Sequence, residues 1–341
     1  MRRSFVLLGA AAWLMVPAPA SAAPGASAHA YLIMPFENTA EDPALDWLSA
    51  GLAHSLGEYL LGFGQQVMDP EERTVLLEGS GIPPGAPLAL ASALELGRRT
   101  LARPTGLRVD RLVLGRFNVD QGDITVAART IDLKREKARP WQSRSGRLKD
   151  LLQLGRDLAL AMARDEKIAI ADGREEFLRK HTEDVPLLAF ETYCRAVCES
   201  DSKERLRLLR KALQQYPGFP KAAYQAGALL AREERWEDAA AVLGKASSDP
   251  FPYESDYHLL IAQVALGRKD PQTGIAEARR ALAIAESARG HLLLGRALQA
   301  SGDSPAALAE LEKARSADLT DAEIEELRRT IERVKNPRST P

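Results

Sequence analysis

Small residues recur at a nearly constant interval in the C-terminal half of this sequence. Four alanines are separated by 34, 35 and 33 residues: Ala212, Ala246, Ala281 and Ala314. In the last three copies another small residue stands 19 positions earlier, namely Gly227, Ala262 and Gly295. A period of about 34 residues is typical of arrays of antiparallel helix pairs, which need small residues where two helices cross closely. The repeat therefore predicts a helical solenoid.

Two copies show this pattern most clearly. One contains Ala223, Ala226, Gly227, Leu230, Ala239, Leu243 and Ala246, and the last contains His291, Leu294, Gly295, Leu298, Ala307, Leu311 and Ala314. These residues resemble the tetratricopeptide repeat (TPR) family. The resemblance implies an all-α TPR solenoid of four units over residues 185–319. Thr320 and Glu323 then form a predicted capping box, and an apolar stripe follows, so we expect a capping helix over residues 320–336.

The N-terminus has the parts of a secretory signal peptide. Two arginines, Arg2-Arg3, precede an apolar run over residues 5–16, and Ala20-Ser21-Ala22 is a small-x-small cleavage site. We expect residues 1–22 to be removed during export. The export route is either the general one or the twin-arginine route, because Arg2-Arg3 also resembles a twin-arginine motif. No cysteine follows the cleavage site and no other apolar stretch could span a bilayer. The prediction is a periplasmic or secreted protein without a transmembrane segment.

Strand and helix patterns alternate over residues 30–166. A short apolar strand pattern ends at Met34, and a helix is expected to start at Asp42-Pro43. Later, Gln121-Gly122-Asp123 separates two segments of alternating polarity, which predicts a β-hairpin. The order strand, helix, strand, two helices, three strands, helix predicts an α/β domain with a mixed sheet. The charged residues 167–184 are expected to form a short helical linker.

This first domain resembles the TolB amino-terminal, CsgG-like group of bacterial envelope domains. The likeness is carried by three features: Met34-Pro35-Phe36-Glu37-Asn38 after the first strand, Asp46-Trp47-Leu48-Ser49-Ala50-Gly51-Leu52 in the next helix, and the late hairpin followed by Asp132 and Trp141. The sequence has neither the propeller repeats of TolB nor the anchor cysteine and long membrane-inserting strands of CsgG. The resemblance implies an envelope domain that binds other proteins.

No pattern in the sequence indicates catalysis. The chain has 46 basic and 47 acidic residues, a balance that does not favour nucleic acid as a ligand. The five histidines are scattered, and motifs of hydrolases, zinc enzymes and phosphate-binding loops do not occur. We therefore predict no enzymatic activity, cofactor, metal site or nucleic acid partner.

The two cysteines, Cys194 and Cys198, are four residues apart in a predicted helix. Their β-carbons would then be about 5 to 6 Å apart, which is too far for an unstrained disulfide. Buried free thiols are expected, with a strained or intermolecular bond as the alternative.

Basic residues are concentrated around Trp141. They are Lys134, Arg135, Lys137, Arg139, Arg144, Arg147 and Lys149, and Glu136 is the only acidic residue among them. Such a cluster could contact anionic lipid headgroups or an acidic partner. The alternative is a solvated edge strand whose charges prevent unwanted pairing.

The TPR resemblance implies which residues line the concave groove. They are Lys221, Tyr224, Ala228 and Arg232 in the second unit, Asp256, Leu259 and Gln263 in the third, and Arg289, Leu292, Arg296 and Gln299 in the fourth. The groove would be mildly basic. Tyr224 and Ala228 stand where the carboxylate-clamp members of the family need lysine and asparagine, which disfavours that ligand.

These expectations define two hypotheses. In the first, the protein is a periplasmic adaptor that binds an extended or helical segment of another envelope protein in the groove, with Arg232, Arg289 and Arg296 orienting an acidic stretch. In the second, the first domain is a small-molecule or glycan receptor and the repeats are its scaffold. A polar pocket between Trp47 and Trp141 would favour the receptor, whereas a flat surface would count against it.

Overall fold

A computed structural model of the protein describes residues 28–40, 42–82, 88–101, 107–181, 185–247, 250–314, 319 and 321–335. The predicted signal peptide, residues 1–22, lies outside the described residues. Within them the chain forms a mixed sheet with helices on both faces, followed by helices alone. The predicted order, an α/β arrangement followed by an all-helical part, is confirmed at this level.

The strands of the N-terminal half belong to one sheet. They are β1 (Ala30–Ile33), β2 (Glu37–Asn38), β3 (Gln66–Val67), β4 (Arg111–Asp120), β5 (Asp123–Asp132), β6 (Lys137–Ala138) and β7 (Gln142–Arg147). Strand β1 lies parallel to β3 and β4, whereas β4 and β5 form an antiparallel hairpin and β7 pairs with β5. Positive φ angles at Gln121 and Gly122 produce the two-residue turn of this hairpin.

Four helices cover the two faces of the sheet. They are α1 (Trp47–Gly62), α2 (Pro70–Glu78), α3 (Leu90–Leu101) and α4 (Leu151–Asp165). Helices α1 and α4 bury the face that carries Val113 and Phe117, and α2 and α3 bury part of the opposite face around Leu112 and Leu114. Asp42 does not begin α1: its side chain accepts a bond from Ala44 N and caps a short 3₁₀ turn that precedes the helix.

The C-terminal half consists of consecutive helices. They are α5 (Arg174–His181), α6 (Leu187–Val197), α7 (Ser202–Gln215), α8 (Pro220–Arg232), α9 (Trp236–Leu243), α10 (Glu254–Gly267), α11 (Pro271–Ile284), α12 (Ala288–Ser301), α13 (Ser304–Lys313) and α14 (Asp321–Lys335). From α6 to α13 each helix packs against the next, and α14 lies against α12 and α13.

Small residues lie where two helices of a pair cross. A Cβ atom added to Gly227 of α8 would be 2.6 Å from a methyl group of Leu243 in α9, and one added to Gly295 of α12 would be 2.6 Å from Cγ of Leu311 in α13. Since real Cβ contacts are never this short, these helix pairs depend on the missing side chain.

Two histidines make the same contact in successive helix pairs. Nδ1 of His258 lies 2.6 Å from Glu277, and Nδ1 of His291 lies 2.6 Å from Glu310. In both pairs the glutamate comes 19 residues after the histidine, and the bond joins the first helix of the pair to the second. The 33-residue offset between the histidines thus appears in side-chain contacts as well as in the sequence.

The two halves of the molecule share one hydrophobic core. Helix α1 packs against α6, where Trp47 contacts Phe190 edge-on and Gly51 faces Cys194. At the other end of α1, the ring of Phe251 sits directly against Gly62. Buried residues of the sheet, α1, α4 and the helices from α6 to α10 form a single cluster. The halves are therefore held by a packed interface and not only by the residues 167–184 that connect them.

Candidate functional site

The candidate site is the side of the helical array formed by α6, α8, α10 and α12, the first helices of the four pairs, which we call the inner face. It contains the residues predicted to line the groove. Part of this face is covered by helices of the same chain: α1 from the N-terminal half lies at one end, and α14 lies at the other.

A buried cluster of polar residues marks the end that α1 covers. Glu58 of α1 is only 2% exposed, and Nζ of Lys221 in α8 donates a 2.6 Å hydrogen bond to its Oε2. Its Oε1 accepts a bond from the hydroxyl of Tyr193 in α6 at 3.3 Å and lies 3.4 Å from Nε2 of His54. Three helices therefore meet at one carboxylate.

The charge of Glu58 is maintained by these neighbours. Burial alone raises the pKa of a carboxyl group. The Lys221 ammonium and His54 outweigh that effect and lower the pKa of Glu58 to about 2. Glu58 is therefore ionised at neutral pH, and its negative charge is matched by a predicted groove residue, Lys221.

The middle of the inner face is made by α8, α10 and α12. Tyr224 is 8% exposed and stacks on Tyr253, with 5.0 Å between ring centroids. Arg289 reaches the side-chain oxygen of Gln263 at 3.4 Å, which brings two predicted groove residues together. Burial raises the pKa of the neighbouring Asp256 to about 6, although Arg289 acts in the opposite direction.

Helix α14 covers the far end of the inner face. Nε of Arg289 lies 3.5 Å from Glu323, and Arg296 lies 2.8 Å from Glu326. Leu292, which is 2% exposed, packs in a cluster with Leu327 and other apolar residues of α14. Leu292 is thus part of the contact between α12 and α14.

Two further residues predicted to line the groove lie at helix ends. Arg232 is exposed in the last turn of α8, and Gln299 is half-buried in the last turn of α12. The structure thus gathers Gln263 and Arg289 in the middle of the face, directs Lys221 to α1, and directs Leu292 and Arg296 to α14.

Sequence reasoning did not identify the acidic partners of these cations. Glu323 was expected as part of a capping box and not as a partner of Arg289. The structure places Glu58, Glu323 and Glu326 against Lys221, Arg289 and Arg296, respectively. The one signal in the sequence was the glutamate content of α14. It does not identify the cations that these glutamates contact, because those cations are not close to α14 in sequence.

The structure contradicts a pocket between Trp47 and Trp141. Trp47 packs with the core on the α1 face of the sheet, whereas Trp141 packs with the core on the α2 and α3 face. The sheet itself separates the two indoles. The receptor hypothesis therefore loses the feature that would have favoured it.

Both cysteines of the described residues are free thiols. Cys194 is a buried free thiol as expected, but Cys198 is exposed, because it follows the last residue of α6. No group of three or more histidine, cysteine or acidic residues in the described parts of the chain is arranged to hold a metal ion. No helix there has both the length and the apolar character needed to cross a membrane.

Comparison with known proteins gives little further information. No family model matches this sequence, and no curated protein matches it. One similar solved structure is the C-terminal domain of LpoB from Salmonella enterica, with 12% sequence identity and a TM-score of 0.28. The similarity covers 37% of this chain and 87% of the LpoB domain. A likeness of this size establishes neither fold nor function.

Proposed function

We propose that the protein is a secreted envelope adaptor that binds a glutamate-bearing helix of another protein on its inner face. The proposal includes export through the N-terminal signal sequence, and it assigns the helix pairs to the TPR family and the first domain to the TolB amino-terminal, CsgG-like group. The 34-residue period and the small residues at the helix crossings support the TPR assignment.

One observation carries the binding function. Lys221, Arg289 and Arg296 each contact a glutamate, and each of those glutamates belongs to a helix of the same chain. The inner face therefore already holds two helices through the same combination of apolar contact and charge. A partner helix with glutamates at a similar spacing would meet complementary groups.

The two covering helices differ in how firmly they are held. Helix α1 is anchored by a buried ion pair and by Trp47 and Phe251 within the shared core. Helix α14 is held by its apolar cluster with Leu292, by the Arg289–Glu323 pair and by the more exposed Arg296–Glu326 pair, and exposed pairs contribute only about 0 to 1 kcal/mol. We expect the partner to bind at the α14 end of the inner face, because α14 is easier to displace than α1.

The test compares three variants of the mature chain, beginning at Ala23, in capture of partners from an envelope extract. In the first, Arg232, Arg289 and Arg296 are changed to glutamate. The matched control changes Arg207, Arg210 and Arg279, which are exposed outside the inner face, in the same way. The third carries Glu323→Gln and Glu326→Gln, which weaken the hold on α14. Thermal unfolding verifies that all three fold.

We expect one protein to be retained by the wild type and the control, lost by the first variant, and retained more strongly by the third. Equal loss of the captured protein in the first variant and the control would mean that only the net charge of the chain decides binding. Retention by all variants would remove the inner face as the binding site, and retention by none would contradict the adaptor function.

A further inference from the structure

A second polar surface lies on the opposite side of the sheet from α1. Helices α2 and α3 cover this side only as far as Leu114 and Ile131. Beyond them β4, β5 and β7 present exposed polar side chains, among them Arg116, Asn118 and Ser143. The inner-face proposal does not involve this surface.

The centre of the surface is Ala127, which is itself 6% exposed. Ala127 of β5 pairs with Arg116 of β4 on one side and with Ser143 of β7 on the other. Residues two positions away along a strand point to the same face. The neighbours of Ala127 are therefore Arg116, Ser143, Leu114, Asn118, Arg129, Thr125, Trp141 and Ser145. None of these side chains is acidic, and most carry hydrogen-bond donors.

The two guanidinium groups on this surface are fixed in position by an indole. The guanidinium carbons of Arg116 and Arg129 lie 4.6 and 4.7 Å from the ring centroid of Trp141. Nε of Arg129 is buried without a hydrogen-bond partner. Within the described residues neither arginine pairs with a carboxylate, whereas Arg135, Arg139 and Arg147 do. Two ordered cations therefore face an open surface without a counter-ion.

We propose that the surface around Arg116 and Arg129 is a second binding site and that it takes a carboxylate side chain of an acidic, extended segment of a partner protein. A guanidinium group fits a carboxylate through two parallel hydrogen bonds. The hydroxyl group of Ser143 lies beside Ala127 and can donate as well, whereas that of Thr125 already bonds to Ser145.

The surroundings of Arg116 and Arg129 favour a peptide over other anionic ligands. The hairpin tip carries the exposed Asp120 and Asp123 on the same face. Asp123 is four residues from Ala127 along β5, a distance of about 13 Å in an extended strand. A bilayer of anionic lipid covering the face would meet these carboxylates, whereas a narrow peptide need not. Because the indole of Trp141 already holds two guanidiniums, it orients cations instead of stacking on a sugar ring.

The edge of the sheet offers such a segment a place to lie. Strand β7 pairs only with β5 among the described strands. Its residues alternate between the two faces, so Ser143 and Ser145 stand at the rim of this surface. An extended peptide placed along this edge can use the main-chain groups of β7 while its acidic side chains reach toward the arginines.

The test uses a ten-residue polyglutamate peptide and the full mature chain. Binding is measured by calorimetry, and the indole N–H signal of Trp141, assigned with a Trp141→Phe variant, is followed by NMR. A polyglutamine peptide of equal length and vesicles of phosphatidylglycerol and phosphatidylcholine serve as comparison ligands. We expect polyglutamate alone to bind and to shift the Trp141 signal.

The variants separate this site from net charge and from the inner face. Arg116→Gln with Arg129→Gln should weaken polyglutamate binding by at least about tenfold, because bonds to charged groups are the strong ones. Arg207→Gln with Arg210→Gln removes the same charge elsewhere and should not change polyglutamate binding. Arg289→Gln with Arg296→Gln, on the inner face, should not abolish the shift of the Trp141 signal. Ser143→Glu at the exposed rim should block the site with an internal carboxylate.

Three results would overturn the proposal. They are unchanged binding in the Arg116/Arg129 variant, a Trp141 signal that does not respond to polyglutamate, and a preference for the anionic vesicles. Any of them would leave the adaptor function untouched, because the variants of that test lie on the helices.

Discussion

Oε2 of Glu58 lies 2.6 Å from Nζ of Lys221, and this contact joins the first helix of the sheet half to the array of helix pairs. The two residues are 163 positions apart in the chain. Tyr193 and His54 complete the surroundings of the carboxylate. One end of the inner face is thus built into the junction between the halves, and only the rest of it can serve a partner.

Removing the cation of this pair should destabilise the protein strongly. Lys221→Met leaves Glu58 buried without its main counter-ion, and such a change costs about 3 to 5 kcal/mol of unfolding free energy. The double variant Glu58→Gln, Lys221→Met should lose less, because no charge is then left unpaired. Urea unfolding at neutral pH measures both. Equal losses in the single and double variants would show that the pair is not coupled.

The same carboxylate makes stability depend on acid pH. Its pKa of about 2 in the folded state is below the ordinary value of 4.5, so the unfolded chain binds the proton more readily. The contribution of Glu58 is therefore complete above pH 4.5 and is lost as the pH falls toward 2. We expect the wild type to lose unfolding free energy more steeply over this interval than Glu58→Gln. Parallel pH profiles of the two proteins would contradict the assignment.

Asp256 should have the opposite pH dependence. Its pKa of about 6 is above the ordinary value of 3.8, because burial disfavours the charged form. The group stabilises the fold when protonated, and this contribution is lost as the pH rises through 6. Asp256→Asn should therefore raise the unfolding free energy at pH 7.5 by roughly 1 to 3 kcal/mol and change it little at pH 4. A variant less stable than the wild type at pH 7.5 would refute this.

The close crossing of α12 and α13 can be tested at Gly295. A leucine there would collide with Leu311, whose Cγ is 2.6 Å from the position of a Cβ atom. Gly295→Leu should cost roughly 1 to 3 kcal/mol through overpacking and lower the melting temperature. Ala300→Leu, at an exposed position of the same helix, is the control and should have little effect. Similar melting temperatures for the two variants would count against the crossing geometry.

The rate at which α14 opens locally should increase when its acidic residues are neutralised. Glu323→Gln weakens the contact with Arg289, in which both side chains are largely buried, and Glu326→Gln weakens a more exposed contact. We expect amide hydrogen exchange in α14 to accelerate up to about fivefold for the first and less for the second. Exchange in α8 and α9 is the internal control. Unchanged exchange in α14 would mean that apolar packing alone holds this helix.

Much of the local structure follows from the sequence pattern. The turn at Gln121 and Gly122 is encoded by adjacent residues, and the position of Gly295 at a helix crossing follows from the repeat interval. Both signals are short-range or periodic, so neither requires knowledge of a distant contact. The start of α1 was less well predicted, because a capping aspartate serves a 3₁₀ turn as well as an α-helix.

The candidate site could be predicted only in part. The TPR resemblance predicted that Arg289 and Arg296 line one face of α12, and the structure finds both turned toward α14. Their glutamate partners could not be identified, since many exposed glutamates in the sequence have the same local pattern. The same limit applies to Arg116 and Arg129, which come together with Trp141 only because β4, β5 and β7 are adjacent in the sheet.

The sequence by itself determined the repeat period, the order of strands and helices, and the faces of the helices that are buried. Tertiary structure alone decided that α1 would cover one end of the inner face and that Glu58 would neutralise Lys221. The physical reason is that periodicity records how much of a helix is removed from water but not which surface covers it. That choice depends on shape and charge complementarity between segments far apart in the chain.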